Sequence, residues 1–185
     1  MNSGLLYLSI FLAVNFILIV LFPPSYREKL FVIPKFHSKS EFVFTGLYAF
    51  LFNGTLLYSA CIPLSSNVLF ISIGSTIYIL ALILFIIALS NYAYAPQGKP
   101  VTTGVYKYSR NPQQILASVL WFGVGISLGS YVVVISVILQ LIILYPSLIA
   151  QERFCLEMYG EEYRQYMKNT ARYLGKRQRD ANECF

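Results

Sequence analysis

Charge is scarce in this chain and confined to short stretches: 12% of its 185 residues are charged, against 57% hydrophobic. Soluble domains carry about 25% charged residues, so a water-soluble globular domain is a poor reading, and disorder, which needs a polar, charge-rich chain, is excluded. There is a single histidine, His37, which leaves no basis for multi-histidine metal chemistry or a His-based triad beyond one shared base. Its place among Lys and Ser suits a solvated loop. The three cysteines, Cys61, Cys155 and Cys184, show neither metal spacing nor pairing logic, and Cys184 stands too near the end for the prenylation pattern. No metal site is expected. Nor does the length leave room for a separate soluble catalytic module.

What is present is apolar sequence in three charge-free blocks, residues 1–26, 42–98 and 111–151. A crossing needs about 20 apolar residues, so the blocks hold one, two and two spans. The expected fold is all-α and polytopic, a single membrane domain over 1–185 with five transmembrane helices near Leu5–Phe22, Phe42–Ala60, Val68–Leu89, Gln114–Leu128 and Tyr131–Ala150. Residues 1–91 carry the first three, 92–112 a cytosolic connector, 113–150 a helical hairpin, 151–174 a cytosolic amphipathic helix, and 175–185 a mobile basic tail. The first run lacks a basic start and a small-residue cleavage site and reads as a retained span.

All fourteen Lys and Arg residues fall after the first span, between the third and fourth, or after the fifth. With five crossings these segments share one side, so the positive-inside rule puts the N-terminus outside and the tail in the cytoplasm, equally for a bacterial or archaeal cytoplasmic membrane or the endoplasmic reticulum. The net charge of +6 is thereby topological, with attraction to anionic membrane lipids as a side effect and no nucleic-acid partner implied. The expected spans contain no ionisable side chain, which argues against an ion or proton pathway. Asn15, Asn53 and Gln140 are expected as interhelical hydrogen-bond partners, and Gly125 and Gly129 as a close-packing GxxxG. Asn53-Gly54-Thr55 matches the glycosylation pattern but falls inside a span.

Polar chemistry concentrates at the cytosolic rim. Residues 91–112, NYAYAPQGKPVTTGVYKYSRNP, cannot be continuous helix. Tyr92, Tyr94, Tyr106 and Tyr108 there read first as interfacial anchors and second as ligand-stacking faces. Beyond Gln151, Phe154, Met158 or Tyr159, Tyr163, and Tyr166 or Met167 recur at helical spacing with charges between them, and Gly160 predicts a kink or turn.

Together these segments resemble the signature of the integral-membrane methyltransferases typified by isoprenylcysteine carboxyl methyltransferase and the phospholipid N-methyltransferases. The first motif, roughly G-x-Y-x3-R-[HN]-P-x-Y, has its counterpart in Gly104-Val105-Tyr106 and Arg110-Asn111-Pro112. The second corresponds to Gln151-Glu152, Tyr159-Gly160-Glu161-Glu162-Tyr163, Tyr166 and Arg172. The likeness covers about Ala88 to Leu174.

The resemblance implies S-adenosyl-L-methionine bound at the cytosolic rim and a lipophilic small-molecule or prenylated acceptor arriving from the bilayer. It assigns cofactor contacts to Gly104, Val105, Tyr106, Arg110, Asn111, Pro112 and Glu152, with Arg110 and Glu152 as the catalytic pair. Arg110 would pair with a carboxylate of the donor or the acceptor. Glu152 would accept from the donor's ammonium or ribose, or orient the acceptor. Asn111 would bond the donor without titrating, and Pro112 would start the fourth helix. Two positions depart from the pattern: Gln114 stands for Tyr, and Gln151 for the first Glu of a pair. The acceptor stays open between a carboxylate, a phospholipid amine and a thiol, with the isoprenylcysteine type favoured by analogy. The rivals are an NADPH-dependent reductase of the sterol reductase type and a non-catalytic lipid-binding protein of the same fold.

Overall fold

A computed structural model describes residues 4–24, 26, 36 and 38–175. The expectations for His37, Cys184 and the tail beyond Gly175 lie outside these residues. The described chain is helical: α1 Gly4–Leu21, α2 Lys39–Ala60, α3 Val68–Ala93, α4 Pro112–Ser127 and α5 Tyr131–Asn169, with a short 3-10 turn at Gly104–Lys107.

Local chemistry sets the ends. Pro23 and Pro24 cannot extend α1. Ser38 caps α2 by accepting from the Glu41 N–H at 3.2 Å, and Asn67 caps α3 by accepting from the Leu69 N–H at 2.9 Å. Pro112 occupies the first turn of α4, where a missing N–H leaves no bond unmade. Helices α1, α2, α3 and α5 are long and apolar enough to cross a membrane, whereas α4 has 16 residues, short of the usual span of about 20.

Helix α5 does not stop at Ala150, where the charge-free block suggests an end. It continues into Gln151, Glu152 and Arg153 because these residues are good helix formers. The first charge marks the change from apolar to polar surroundings, not the end of the hydrogen-bond ladder. The interruption comes at Gly160, whose φ of 56° and ψ of −128° are non-helical. The expected kink is there.

The bundle is tightest where α3 packs on α4. At their crossing Gly74 faces Gly123 and Ser127, with no space between the backbones for a side chain. Trp121, Leu120 and Val124 fill the rest of the seam, and Phe11 of α1 meets Trp121 edge-on with ring centres 5.8 Å apart. Gly125 approaches Val133 and Val134 across the hairpin, as its small size suggests, but Gly129 serves the turn, with φ of 62°. Among the three polar side chains expected between helices, Gln140 does bridge them, donating to Thr55 Oγ1 of α2 at 2.8 Å. Asn15 and Asn53 instead donate to Phe11 and Ala49 of their own helices, because the carbonyl four residues back is already within reach.

The two ends of the bundle differ. At one, Gly4 N–H donates to Ile62 and Ser65 N–H to Ser127, drawing together the start of α1, the α2–α3 turn and the end of α4. The other gathers the charges, including a two-pronged ion pair from Arg153 of α5 to Glu41 of α2 at 2.9 and 2.7 Å.

Candidate functional site at the charged rim

After Gly160 the chain turns back towards the connector. Its short final helix places Tyr166, whose hydroxyl donates to the Tyr106 carbonyl at 2.6 Å. Residues 170–175 then run beside the connector: Arg110 N–H donates to the Ala171 carbonyl at 3.1 Å, and Gly175 N–H to the Tyr108 carbonyl at 2.8 Å. The apolar face of the segment after Gly160 thus meets protein, with Tyr163, Tyr166 and Tyr106 forming one buried cluster. Glycine is required at the bend, since other residues rarely reach this region of φ and ψ. Gly160→Ala should therefore detach the final helix from the connector, read as faster proteolysis after residue 160 and a lower melting temperature of the detergent-solubilised protein.

The bend encloses a cavity of about 340 Å³ lined by the connector, α4 and α5. Four of the seven residues singled out by the sequence line it: Tyr106, Arg110, Asn111 and Glu152. The other three are not in its lining. Pro112 is buried as the first residue of α4, Val105 packs against the tyrosine cluster, and Gly104, with φ of 60°, lies where a Cβ would collide with the Asn91 side chain. The tyrosines divide as well: Tyr92 and Tyr106 face the cavity, while Tyr94 and Tyr108 are exposed.

Glu152 is the hub. Arg172 grips it with two hydrogen bonds, Nε to Oε1 at 3.0 Å and Nη2 to Oε2 at 2.9 Å. Asn111 Nδ2 donates to Oε1 at 3.3 Å, and Arg110 Nη1 lies 3.3 Å from Oε2. The side chains of Arg110 and Glu152 are only 4% and 5% exposed. The hydrogen bond to Glu152 pushes the Arg172 guanidinium above its already high ordinary value, and its plane lies over the Tyr145 ring at 5.0 Å. Two guanidiniums against one carboxylate leave the cluster with an excess of one positive charge. Moreover, Arg110 Nε and Nη1 are buried without a hydrogen-bond acceptor, the Nη1 approach to Glu152 being close but poorly aligned. A buried donor of this kind costs free energy unless something accepts from it. The arrangement has the donors and the charge to hold an anionic oxygen.

Burial raises the Tyr106 phenol well above its usual range, aided by neighbouring Tyr92 and Tyr166 and partly opposed by Gln113. Burial likewise raises Tyr163 and Tyr166. All three remain protonated at neutral pH, as hydrogen-bond donors and aromatic walls. Residues that sequence reasoning left out of the site include Arg172, visible as a motif position but not as the carboxylate's main partner, and Gln114 and Gln151, seen only as departures. These two glutamines touch: Gln114 Nε2 donates to Gln151 Oε1 at 3.2 Å.

The profile of the phospholipid methyltransferase family matches residues 68–162, just over half of the chain. The match spans α3, the connector, α4 and α5 as far as the bend, and so includes both Arg110 and Glu152. Comparison with curated proteins and with solved structures gives no match.

Proposed function

Since the chain belongs to the phospholipid methyltransferase family and is a membrane methyltransferase, we propose that it uses S-adenosylmethionine, held in the rim cavity, to methylate a lipophilic acceptor at the cytosolic membrane face. The observation that carries this reading is the pair of orphaned, buried N–H groups on Arg110. Each can donate a charge-assisted hydrogen bond to an anionic oxygen, such as one from the carboxylate of the donor's methionine part. Its cavity volume of about 340 Å³ lies within the range of small-molecule sites, about 300–1,000 Å³.

When bound, S-adenosylmethionine supplies an electrophilic methyl group on a sulfonium, which an acceptor takes by in-line displacement. The chain's own contribution is placement. Arg110 fixes the donor's anionic end, Glu152 accepts from its ammonium, and Arg172 with Asn111 holds Glu152 in the orientation that does so. Tyr106, Tyr163 and Tyr166 wall the site and exclude water. Holding two reactants in a near-attack geometry can supply much of the rate enhancement without an enzyme nucleophile.

For the topology we infer five crossings, with α4 as the short fifth. It connects the charged rim to the end where Ser127 meets Ser65, and an odd number of crossings keeps every Lys and Arg on one side, which the positive-inside rule makes cytoplasmic. The acceptor then reaches the cavity from the bilayer while the donor comes from the cytosol, either an isoprenylcysteine carboxylate or a phospholipid head supplying the group that is methylated. Isothermal calorimetry on detergent-solubilised protein tests the donor: S-adenosylhomocysteine should bind and NADPH should not. Binding of NADPH alone would favour a reductase, and binding of neither would leave a lipid-binding protein.

A further inference from the structure

Neither Arg172 nor Tyr145 lines the cavity, yet both bear on the carboxylate that does. The Arg172 backbone is fixed: its carbonyl accepts from Asn111 Nδ2 at 3.3 Å and from Ser109 Oγ at 3.4 Å. Its side chain is long and 24% exposed, so water competes for its charged head. Glu152 holds the guanidinium by one edge, through Nε and Nη2. The Tyr145 ring covers a face of the same group, 5.0 Å from its central carbon. An edge grip alone leaves the plane able to tilt about the carboxylate. A ring on its face resists that tilt by cation–π attraction.

Tyr145 comes from α5, as Glu152 does, and the two stand seven residues apart, about two turns, which puts them on one face of the helix. Arg172 therefore bridges two points of one element. Tyr145 is 45% exposed and belongs to neither sequence motif. A tyrosine near a membrane surface is ordinarily an interfacial anchor, but this one also lies on the partner of the site's central carboxylate.

The orientation of Glu152 matters because its capacity is nearly spent. A carboxylate offers about four acceptor sites. Oε1 takes Arg172 Nε and Asn111 Nδ2, and Oε2 takes Arg172 Nη2. What remains is on Oε2, the oxygen that lies 3.3 Å from Arg110 Nη1. A ligand's ammonium can use that position only while Arg172 keeps the carboxylate turned as it is. Release of Arg172 would let Glu152 rotate onto Arg110, whose Nη1 is buried without a hydrogen-bond acceptor, and so close the site to both ends of an amino acid.

We propose that Tyr145 is a positioning residue for the donor site: its ring holds the Arg172 guanidinium in the plane that keeps Glu152 from closing on Arg110 and open to a ligand's ammonium. The inference rests on the reading of the rim cavity as the donor site.

Isothermal calorimetry of S-adenosylhomocysteine with full-length, detergent-solubilised variants tests it, each variant being checked for a melting transition. Tyr145→Leu, which keeps apolar bulk and removes the ring, should weaken binding roughly three- to tenfold, the range of a cation–π contact. Tyr145→Phe keeps the ring and should stay within about twofold of wild type. Tyr131→Leu removes an aromatic that is 76% exposed at the start of α5 and should change nothing, which separates positioning from membrane anchoring. Equal affinity in Tyr145→Leu and wild type, a Tyr145→Phe variant that binds no better than Tyr145→Leu, or an equal loss in Tyr131→Leu overturns the inference and leaves the donor reading standing. So does failure of Tyr145→Leu to fold, which would make the residue a packing element. Should the wild-type protein not bind S-adenosylhomocysteine at all, the donor reading itself falls, and the inference with it.

Discussion

Glu152→Ala is expected to abolish S-adenosylhomocysteine binding and to destabilise the rim by about 3–5 kcal/mol, the usual cost of removing one partner from a buried ion pair. Among the described residues, Glu152 is the carboxylate paired with both Arg110 and Arg172, and the Arg110 side chain is 4% exposed. Without Glu152 the two guanidiniums confront each other with poor access to water, and Asn111 loses one of its acceptors. Arg172, which is partly exposed, can swing outward; Arg110 is held by its backbone bond to Ala171. The damage should thus concentrate where the final segment meets the connector. Hydrogen exchange would show lost protection at Arg110 and Thr170 while α3 and α4 keep theirs. Glu152→Gln retains an oxygen for Arg172 and should be milder in stability but still deficient in donor binding, because it cannot neutralise either cation.

A second large effect is expected far from the site. Gly74→Val should destabilise the α3–α4 pair by about 1–3 kcal/mol or more, as overpacking does. A Cβ at Gly74 would run into the Ser127 backbone N–H and the Gly123 carbonyl, and backbone atoms cannot step aside as a flexible side chain can. Since α4 carries Arg110 and Asn111 at its entry, separating it from α3 should lower donor affinity as well as the melting temperature. Gly46→Val, on α2 with nothing near its Cβ position, is the matched control and should change neither.

The helices were largely legible because a bilayer leaves little freedom: charge had to retreat to the rim, and the blocks it vacated are where α1, α2, α3 and α5 run. Their ends were less legible. Charge at Glu152 looked like the end of the fifth span, yet helix propensity carries α5 to the bend, and only Gly160 announced the true break. Within the site, the meeting of Arg110 and Glu152 was implied by motif likeness, since the 42 positions separating them say nothing about distance. Arg172 could not be identified as Glu152's bidentate partner, because that contact depends on the chain doubling back after Gly160. Gln114 and Gln151 were each visible as an exception, but their bond exists only once α4 and α5 are side by side. The same holds for the crossing of Gly74 and Gly123, which has no local signal.

The proposed donor site turns on Arg110 as the cation that would receive the donor's carboxylate. Isothermal calorimetry of S-adenosylhomocysteine with wild-type and Arg110→Ala protein, each shown by melting to be folded, addresses it directly. Binding to the wild-type protein that disappears in the variant is the expected result; equal affinity for both would contradict the account.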